Sequence, residues 1–515
     1  MSAIVRVVWI GLAAGVPWAG AAASAAERVF DVTDHGADAS GKVLCTGAIQ
    51  KAIDACAAGG RGTVRFPKGT YRSGAVRLRS GVKLLLDEGA AIRGSRDLKD
   101  YYLPPVEDPK GKVSFCHLIS GEGLRDVAIR GAGTIDGSGS AFRDKSKPRA
   151  KCIYLVNCRN VLVEGVRLHS AGGWMQHYRL CRGLTIRNID VFNHVAFNND
   201  GLNVDSCRDV TITGCRVDSD DDGIVLKSLS NTPCRNVKIT DCTVSSHCNA
   251  LKMGTESGGG FVDISISKCK VFSPRRSWRI YGRQRGLAGI ALEIVDGGRM
   301  ENVSVSDVDI EGVSVAIFLR LGNRARPYVK GAKPGVGTLR KVRLSNITAR
   351  KTSQIGCSIT GLPGHWIEDV VLENVRLGFD GGGERKDADR KVAEKGKSYP
   401  ESTMFGTLPA FGFYCRHVRG LTFRKLALTT DKADLRHAMI FEDAEGVVID
   451  GLHAPLAAGA APMLRMKDVR KVALRGRLPK TPPDRLMQVE GKPAGQVTVE
   501  AVGLHEAGAA PERQP

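Results

Sequence analysis

Apolar and polar residues alternate with a period of two along this chain, and the alternation returns at a regular interval. Aligned on one apolar position, the segments read Val127-Ala-Ile129, Val161-Leu-Val163, Leu184-Thr-Ile186, Val210-Thr-Ile212, Val237-Lys-Ile239 and Ile264-Ser-Ile266. They continue at Val303, Val342, Val370, Leu421, Val447, Val472 and Val497, every 23 to 28 residues where no insertion intervenes. In most repeats a second apolar pair follows five and seven residues later, as in Cys215/Val217, Cys242/Val244 and Val308/Ile310. Period-two alternation marks short strands with one inward face, and the odd step between the pairs marks a bend. A strand, bend, strand unit returning at a fixed interval is one coil of an all-β fold, the parallel β-helix, whose coils stack about 4.8 Å apart. Helical solenoids need apolar residues three and four apart over longer windows, and these segments lack that spacing.

Residues 46 to 58 break the pattern. There Ile49, Ala52, Ile53 and Cys56 fall on one helical stripe, which predicts a short N-terminal helix capping the open end of the stack. The expected organisation is a cap with the first strands over 27–80, the β-helix over 81–504 and a disordered tail over 505–515. Three long intervals, 273–288, 320–336 and 380–410, are expected to emerge as loops on the faces of the solenoid. For the polar stretch 380–410, a disordered surface loop and a wall of a binding face are both open readings.

Aromatic residues make up only 6% of the 515 residues while glycine reaches 61, which suits many short strands joined by turns. Residues 1–26 read as a secretory signal: Arg6 supplies the charge, Val7 to Val16 the apolar stretch, and Ala23-Ser24-Ala25 the cleavage site. Export to the periplasm or the exterior is therefore expected. No other stretch reaches the roughly 18 apolar residues of a membrane-spanning helix, so no membrane insertion is expected. Fourteen cysteines in an exported chain first suggest disulfides. However, Cys158, Cys181, Cys207 and Cys234 each precede the aligned position by three, and Cys215, Cys242 and Cys269 each follow it by five. Such columns predict ladders of free thiols in the core, although stacked coils also bring Cα atoms within bridging reach. There is no paired C-x-x-C spacing, and neither a metal nor a cofactor is expected. The formal charge of +21 favours a polyanionic partner. Export argues against nucleic acid and leaves an acidic polysaccharide, bound by a chain expected to be a monomer.

Two carboxylate clusters, Asn199-Asp200-Gly201 and Asp221-Asp222-Gly223, are separated by about one coil. In register, Gly201-Leu-Asn-Val-Asp205, Gly223-Ile-Val-Leu-Lys227, Ala250-Leu-Lys-Met-Gly254 and Gly289-Ile-Ala-Leu-Glu293 align. Asp200, Asp222 and Asn249 then form a column with Asp221 beside it. Outward rows follow: Asn203, Val225, Lys252 and Ala291, then Asp205, Lys227, Gly254 and Glu293, with Arg320 on the next coil. Close carboxylates raise one another's pKa, so such a cluster can supply both a general acid and a general base. Glycosidic cleavage needs that pairing: one group protonates the leaving oxygen and another activates water. A lone Asp at a β-helix turn is ordinarily bonded to its own backbone, which accounts poorly for three acids in this frame. Trp174 and His177 read equally as a sugar-stacking wall or as packing. Two other classes compete, a calcium-dependent polysaccharide lyase and a non-catalytic carbohydrate-binding protein.

On these residues the chain resembles glycoside hydrolase family 28, the polygalacturonase and rhamnogalacturonase group of the pectin-lyase-like superfamily. The resemblance begins with Phe30-Asp-Val-Thr-Asp-His-Gly-Ala-Asp38, passes through Gly62 to Tyr71 and Gly133-Thr-Ile-Asp-Gly137, and enters the strip described above. It implies a single-stranded right-handed parallel β-helix. The family's N-T-D motif corresponds to Asn198, Asn199 or both, with Asp200, and its D-D-x-I-x-x-K-S motif to Asp221-Asp222 through Lys227-Ser228. Carried over, Asp221 is the general acid, Asp200 and Asp222 activate the water, and the reaction inverts configuration.

Two motifs depart from the family pattern. The G-H-G motif falls on Cys248-Asn249-Ala250, which puts Asn249 in the histidine position, with His247 two residues earlier. The R-I-K motif falls on Ala291-Leu-Glu293, where both bases are missing, while Lys252 lies one coil away in the row of the absent arginine. The expected substrate-side set is Asn199, Lys227, His247, Asn249, Lys252, Glu293 and Arg320. A uronate carboxylate is held by Lys227 and Lys252 in this reading, outside the usual subsite, which favours a branched or modified pectic sugar over plain homogalacturonan.

Overall fold

The computed structural model describes residues 28–102, 115–274, 285–491 and 497–506. The expected signal segment 1–26, most of the interval 273–288 and the tail beyond 506 lie outside the described residues. Residues 505–506, placed in the tail by sequence, close the last strand, Val497–Glu506.

The chain winds as a right-handed parallel β-helix. Parallel pairing begins with Val29–Asp31 against Gly62–Phe66 and continues coil by coil to Val497–Glu506. Val127, Val161, Leu184, Val210, Val237, Ile264, Val303, Val342, Val370 and Leu421 pair in unbroken succession. Val447, Val472 and Val497 continue the ladder. All of those described in burial terms face the interior. Ile212, stacked between Ile186 and Ile239, shows the arrangement. Truncating it to Ala removes a side chain with neighbours above and below and costs roughly 2–5 kcal/mol.

The bend between the two apolar pairs is a left-handed residue, at Asn188, Asp241, Asp307, Asn346 and Asn374 among others. Asn and Asp tolerate that backbone region, and here they also bond vertically. Asn346 Nδ2 donates to Asp307 Oδ1 at 2.8 Å, and Asn374 Nδ2 to Asn346 Oδ1 at 2.8 Å. All fourteen cysteines are buried and unbridged. The cap is the helix Thr46–Ala58, which buries Ile49, Ala52, Ile53 and Cys56.

One face of the solenoid carries the strands Gln176–Arg179, Leu202–Asp205, Ile224–Ser228, Asn249–Ser257, Ala288–Ile294 and Val315–Leu321. Between the strands Ile367–Gly381 and Ala410–Lys432 the chain folds back over this face. Ser402 Oγ donates to the Leu287 carbonyl at 2.9 Å, and Arg320 donates to the Glu394 carbonyl at 2.7 Å. The segment therefore packs onto this face rather than standing off it as a free loop.

Candidate active site

Backbone hydrogen bonds stack the acids. Met175 N donates to the Asp200 carbonyl at 2.9 Å, Gly201 N to that of Asp222 at 2.9 Å, and Gly223 N to that of Asn249 at 2.8 Å. The column Asp200, Asp222, Asn249 thus follows from the sheet ladder itself. Glycine at 201 and 223 permits the tight turn, since a Cβ there would meet Val217 Cγ1 at 2.2 Å and Val244 Cγ1 at 2.4 Å. The following rows pair as the sequence predicts, Asn203–Val225–Lys252–Ala291 and, in part, Asp205–Lys227 and Glu293–Arg320. Gly254 is the exception. The register shifts after Leu226/Met253, so that Ser228 pairs with Ser257. The extra residues between Met253 and Ser257 bulge and deliver Glu256 to the site.

Two buried ammonium groups organise the acids. Lys227 Nζ lies 3.2 Å from Glu256 Oε2, 3.5 Å from Asp200 Oδ2 and 4.0 Å from Asp222 Oδ2. Lys252 Nζ lies 3.2 Å from Asp222 Oδ2, and Asn249 Nδ2 donates to Asp222 Oδ1 at 2.9 Å. Burial opposes the charge on Lys227, but Glu256, Asp200 and Asp222 outweigh it and hold the ammonium above its ordinary range. Lys252 is raised in the same way, burial being outweighed by Asp222 and Glu293 first. Burial pushes the Asp200 carboxyl well up; Lys227 opposes the rise, while Asp221 and Asp222 add to it. Burial likewise opposes the charge on Glu256, yet Lys227, Arg324 and Lys252 bring its carboxyl down to about 2. Asp221 differs from its neighbours: it is half-buried, whereas Asp200 and Asp222 are buried. Its Oδ1 accepts the Asp222 N–H at 2.9 Å, and its Oδ2 lies 3.5 Å from Asn198 Nδ2.

Several expectations need correction. Lys252, read as lying on an exposed strip, is only 2% exposed. The 382–409 segment covers it: Tyr399 lies 6.0 Å from its ammonium at the ring centroid, and Glu401 Oε1 accepts from Asn249 Nδ2 at 3.1 Å. Asn199 is fully buried, and its amide is committed to Ala171, Gly173, Asn193 and the Ala196 N–H. It braces the turn, while Asn198 is the asparagine that meets Asp221. Arg320 is fully buried and donates to Thr360 Oγ1 and the carbonyls of Gly361 and Glu394, holding the covering segment in place. Glu293 is buried, accepts from Thr255 Oγ1 at 3.1 Å, and is pushed up to about 8, chiefly by burial, with Lys252 opposing.

His247 is fully buried and packs edge-on against His194, ring centroids 5.7 Å apart. Together with Asp220 these two form a group whose ligand atoms lie within 4.8 Å of one another, a composition that could hold a metal. His194 Nε2 already pairs with Asp218 Oδ1 at 2.8 Å, and no ion is assigned to the group. His177 is buried between Lys151 and Asp205. Trp174 packs edge-on to His177 and also offers its face to Lys227 Nζ at 4.8 Å.

Sequence reasoning missed Glu256, Tyr399, Glu401 and Arg324, the last within 3.9 Å of Glu256 Oε1. Glu256 depends on a bulge, and the other three on insertions whose landing place no periodicity specifies.

The model of Glycosyl hydrolases family 28 matches residues 56–396. A probable polygalacturonase of Vitis vinifera is 28% identical over 217 residues, 38% of this chain and 44% of that protein. An exo-poly-alpha-D-galacturonosidase of Dickeya chrysanthemi is 35% identical over 125 residues, 22% of this chain and 20% of that protein. The chain thus spans less than half the length of these two relatives. The solved family 28 exopolygalacturonase of Yersinia enterocolitica superposes with a TM-score of 0.61 at 19% identity, covering 83% of this chain and 79% of that one, which shows a shared fold. With the family model matching well over half of the chain, this protein is a member of glycosyl hydrolase family 28.

Proposed function

We propose that the protein is an exported glycoside hydrolase that cleaves a pectic, galacturonate-containing polysaccharide by inverting acid/base catalysis. The observation that carries this reading is the division of labour among the three acids. Asp221 is half-buried and open to a leaving oxygen, which suits proton donation. Asp200 and Asp222 sit beneath it, both within 4.0 Å of the Lys227 ammonium, and Asp222 is also held by Lys252 and Asn249. Asp222 faces both ammonium groups and the Asn249 amide, and with Asp200 it is assigned to activating the water. Lys252 takes over the pinning of Asp222 at a place where the family's histidine is replaced by Asn249. Lys227 and Lys252, buried among the carboxylates, organise the acids, and the Trp174 face and Tyr399 of the covering segment are the side chains left to meet substrate. The relatives named as a polygalacturonase and an exo-poly-alpha-D-galacturonosidase support a uronate-containing substrate. The missing bases at Ala291 and Glu293 favour a branched or modified one.

The test is a set of single variants, Asp200→Asn, Asp221→Asn and Asp222→Asn. They are assayed against homogalacturonan, rhamnogalacturonan I and II and xylogalacturonan, with circular dichroism as the folding control. Each variant is expected to lose turnover while keeping the fold. Full activity in all three would overturn the assignment.

A further inference from the structure

Outside the acid column, the corner that follows the strands Phe115–Glu122, Arg149–Val156, Gln176–Arg179, Leu202–Asp205 and Ile224–Ser228 carries a second array. Arg125, Arg159, Arg182, Arg208 and Arg235 occupy the same position on five successive coils and pair in register. Stacked strands hold them about 4.8 Å apart. Like charges directly opposite one another destabilise a sheet. The same column supplies its own comparison further along the solenoid, where it reads Glu301, Arg340, Glu368, Arg419, Glu445 and Arg470. There the signs alternate and the neighbours pair, at 3.1 Å for Arg340–Glu301 and 3.2 Å for Arg419–Glu368. Stability alone favours the alternating pattern, and five arginines in a row forgo it. Their compensation is partial. Asp209 lies 3.4 Å from Arg182 and 3.6 Å from Arg208, and Asp263 lies 3.8 Å from Arg235. Among the described residues Arg125 and Arg159 have no such carboxylate. A groove of about 620 Å³ runs along the array, lined by Arg159, Arg182, Arg208 and Arg235, by Arg299, and on one side by Glu122.

We infer that this arginine ladder is a second binding track, distinct from the acid column, for an extended acidic polysaccharide of the polyuronate type. A polyuronate carries one carboxylate per sugar, and a sugar unit is close in length to the strand spacing, so one chain laid along the axis meets a guanidinium on each coil. Arg suits this role because its planar fork binds a carboxylate through two parallel hydrogen bonds. The track goes beyond the catalytic reading and does not depend on it. It is tested by affinity for polygalacturonate in the Asp221→Asn background, which leaves the polymer intact.

The triple variant R159Q/R182Q/R208Q is expected to bind polygalacturonate roughly tenfold more weakly at low salt, with a shallower salt dependence. The control R340Q/R419Q/R470Q, which removes the same charge from the paired half of the column, keeps its affinity. Peptide mass mapping of phenylglyoxal-treated protein gives a second readout on the unaltered ladder, in which bound polygalacturonate shields Arg159, Arg182 and Arg208. Equal weakening in both triple variants, equal affinity for a DNA duplex, or no shielding overturns the inference. With Asp221 intact, cleavage of pectic substrate by a protein whose polygalacturonate affinity is indifferent to the ladder sinks this inference alone. Ladder-dependent binding by a protein that, with Asp221 intact, cleaves no pectic substrate sinks the catalytic reading alone.

Discussion

Replacing Lys227 by Met removes one positive charge from among the buried Asp200 and Asp222 and the half-buried Glu256, and leaves a side chain of similar length. Glu256 has its carboxyl held down to about 2 against an ordinary 4.5, and Lys227 is the largest of the three cations responsible. A difference of that size corresponds to about 3 kcal/mol, in line with the roughly 3–5 kcal/mol lost when one partner of a buried pair is removed. The pH dependence gives the sharper test. A carboxyl lowered on folding stabilises the protein fully above its unfolded value, near 4.5, and that contribution is lost as pH falls through its folded value, near 2. Lys227 supplies the largest share of that stabilisation, so Lys227→Met is expected to lose up to about 3 kcal/mol at pH 7 and progressively less below pH 4.5. Urea unfolding followed by tryptophan fluorescence at pH 7, 4 and 3 measures the difference directly. A destabilisation that does not change across that range would refute the reasoning, since it would assign the cost to lost packing rather than to charge.

The remaining predictions draw on other parts of the molecule. Glu293 is pushed up to about 8 on folding, so wild-type stability should fall by roughly 1.4 kcal/mol per pH unit from this group between about 4.5 and 8. Glu293→Gln should abolish that slope and be the more stable protein at pH 8, as read by denaturant midpoints. The fourteen unbridged cysteines are all buried. A thiol reagent should therefore add nothing to the native protein and fourteen groups after denaturation without reductant, counted by intact mass.

Most of the fold was legible because a β-helix repeats one short-range rule. The period-two pairs at Val210, Val237 and Ile264 specify inward faces, and their recurrence specifies the stacking partners, so register followed without three-dimensional information. The acid column was legible for the same reason, since Asp200, Asp222 and Asn249 each immediately precede an aligned strand. What failed was whatever the repeat does not encode. Glu256 reaches Lys227 only because the Met253–Ser257 stretch bulges. Lys252 points outward, as its place in the strand requires, yet it is buried because Tyr399 and Glu401 arrive from a distant insertion. Asn199 and Asn198 are indistinguishable by motif. Only the turn geometry shows that one braces the backbone while the other meets Asp221.

The claim that the three acids act as a hydrolytic, inverting site is tested most directly by proton NMR of the first products released from a pectic substrate. Saturated products that together weigh one water more than the uncut substrate, with new reducing ends opposite in anomeric configuration to the original linkage, are the predicted result. Retained configuration, or a calcium-dependent unsaturated product that absorbs in the ultraviolet, would contradict it.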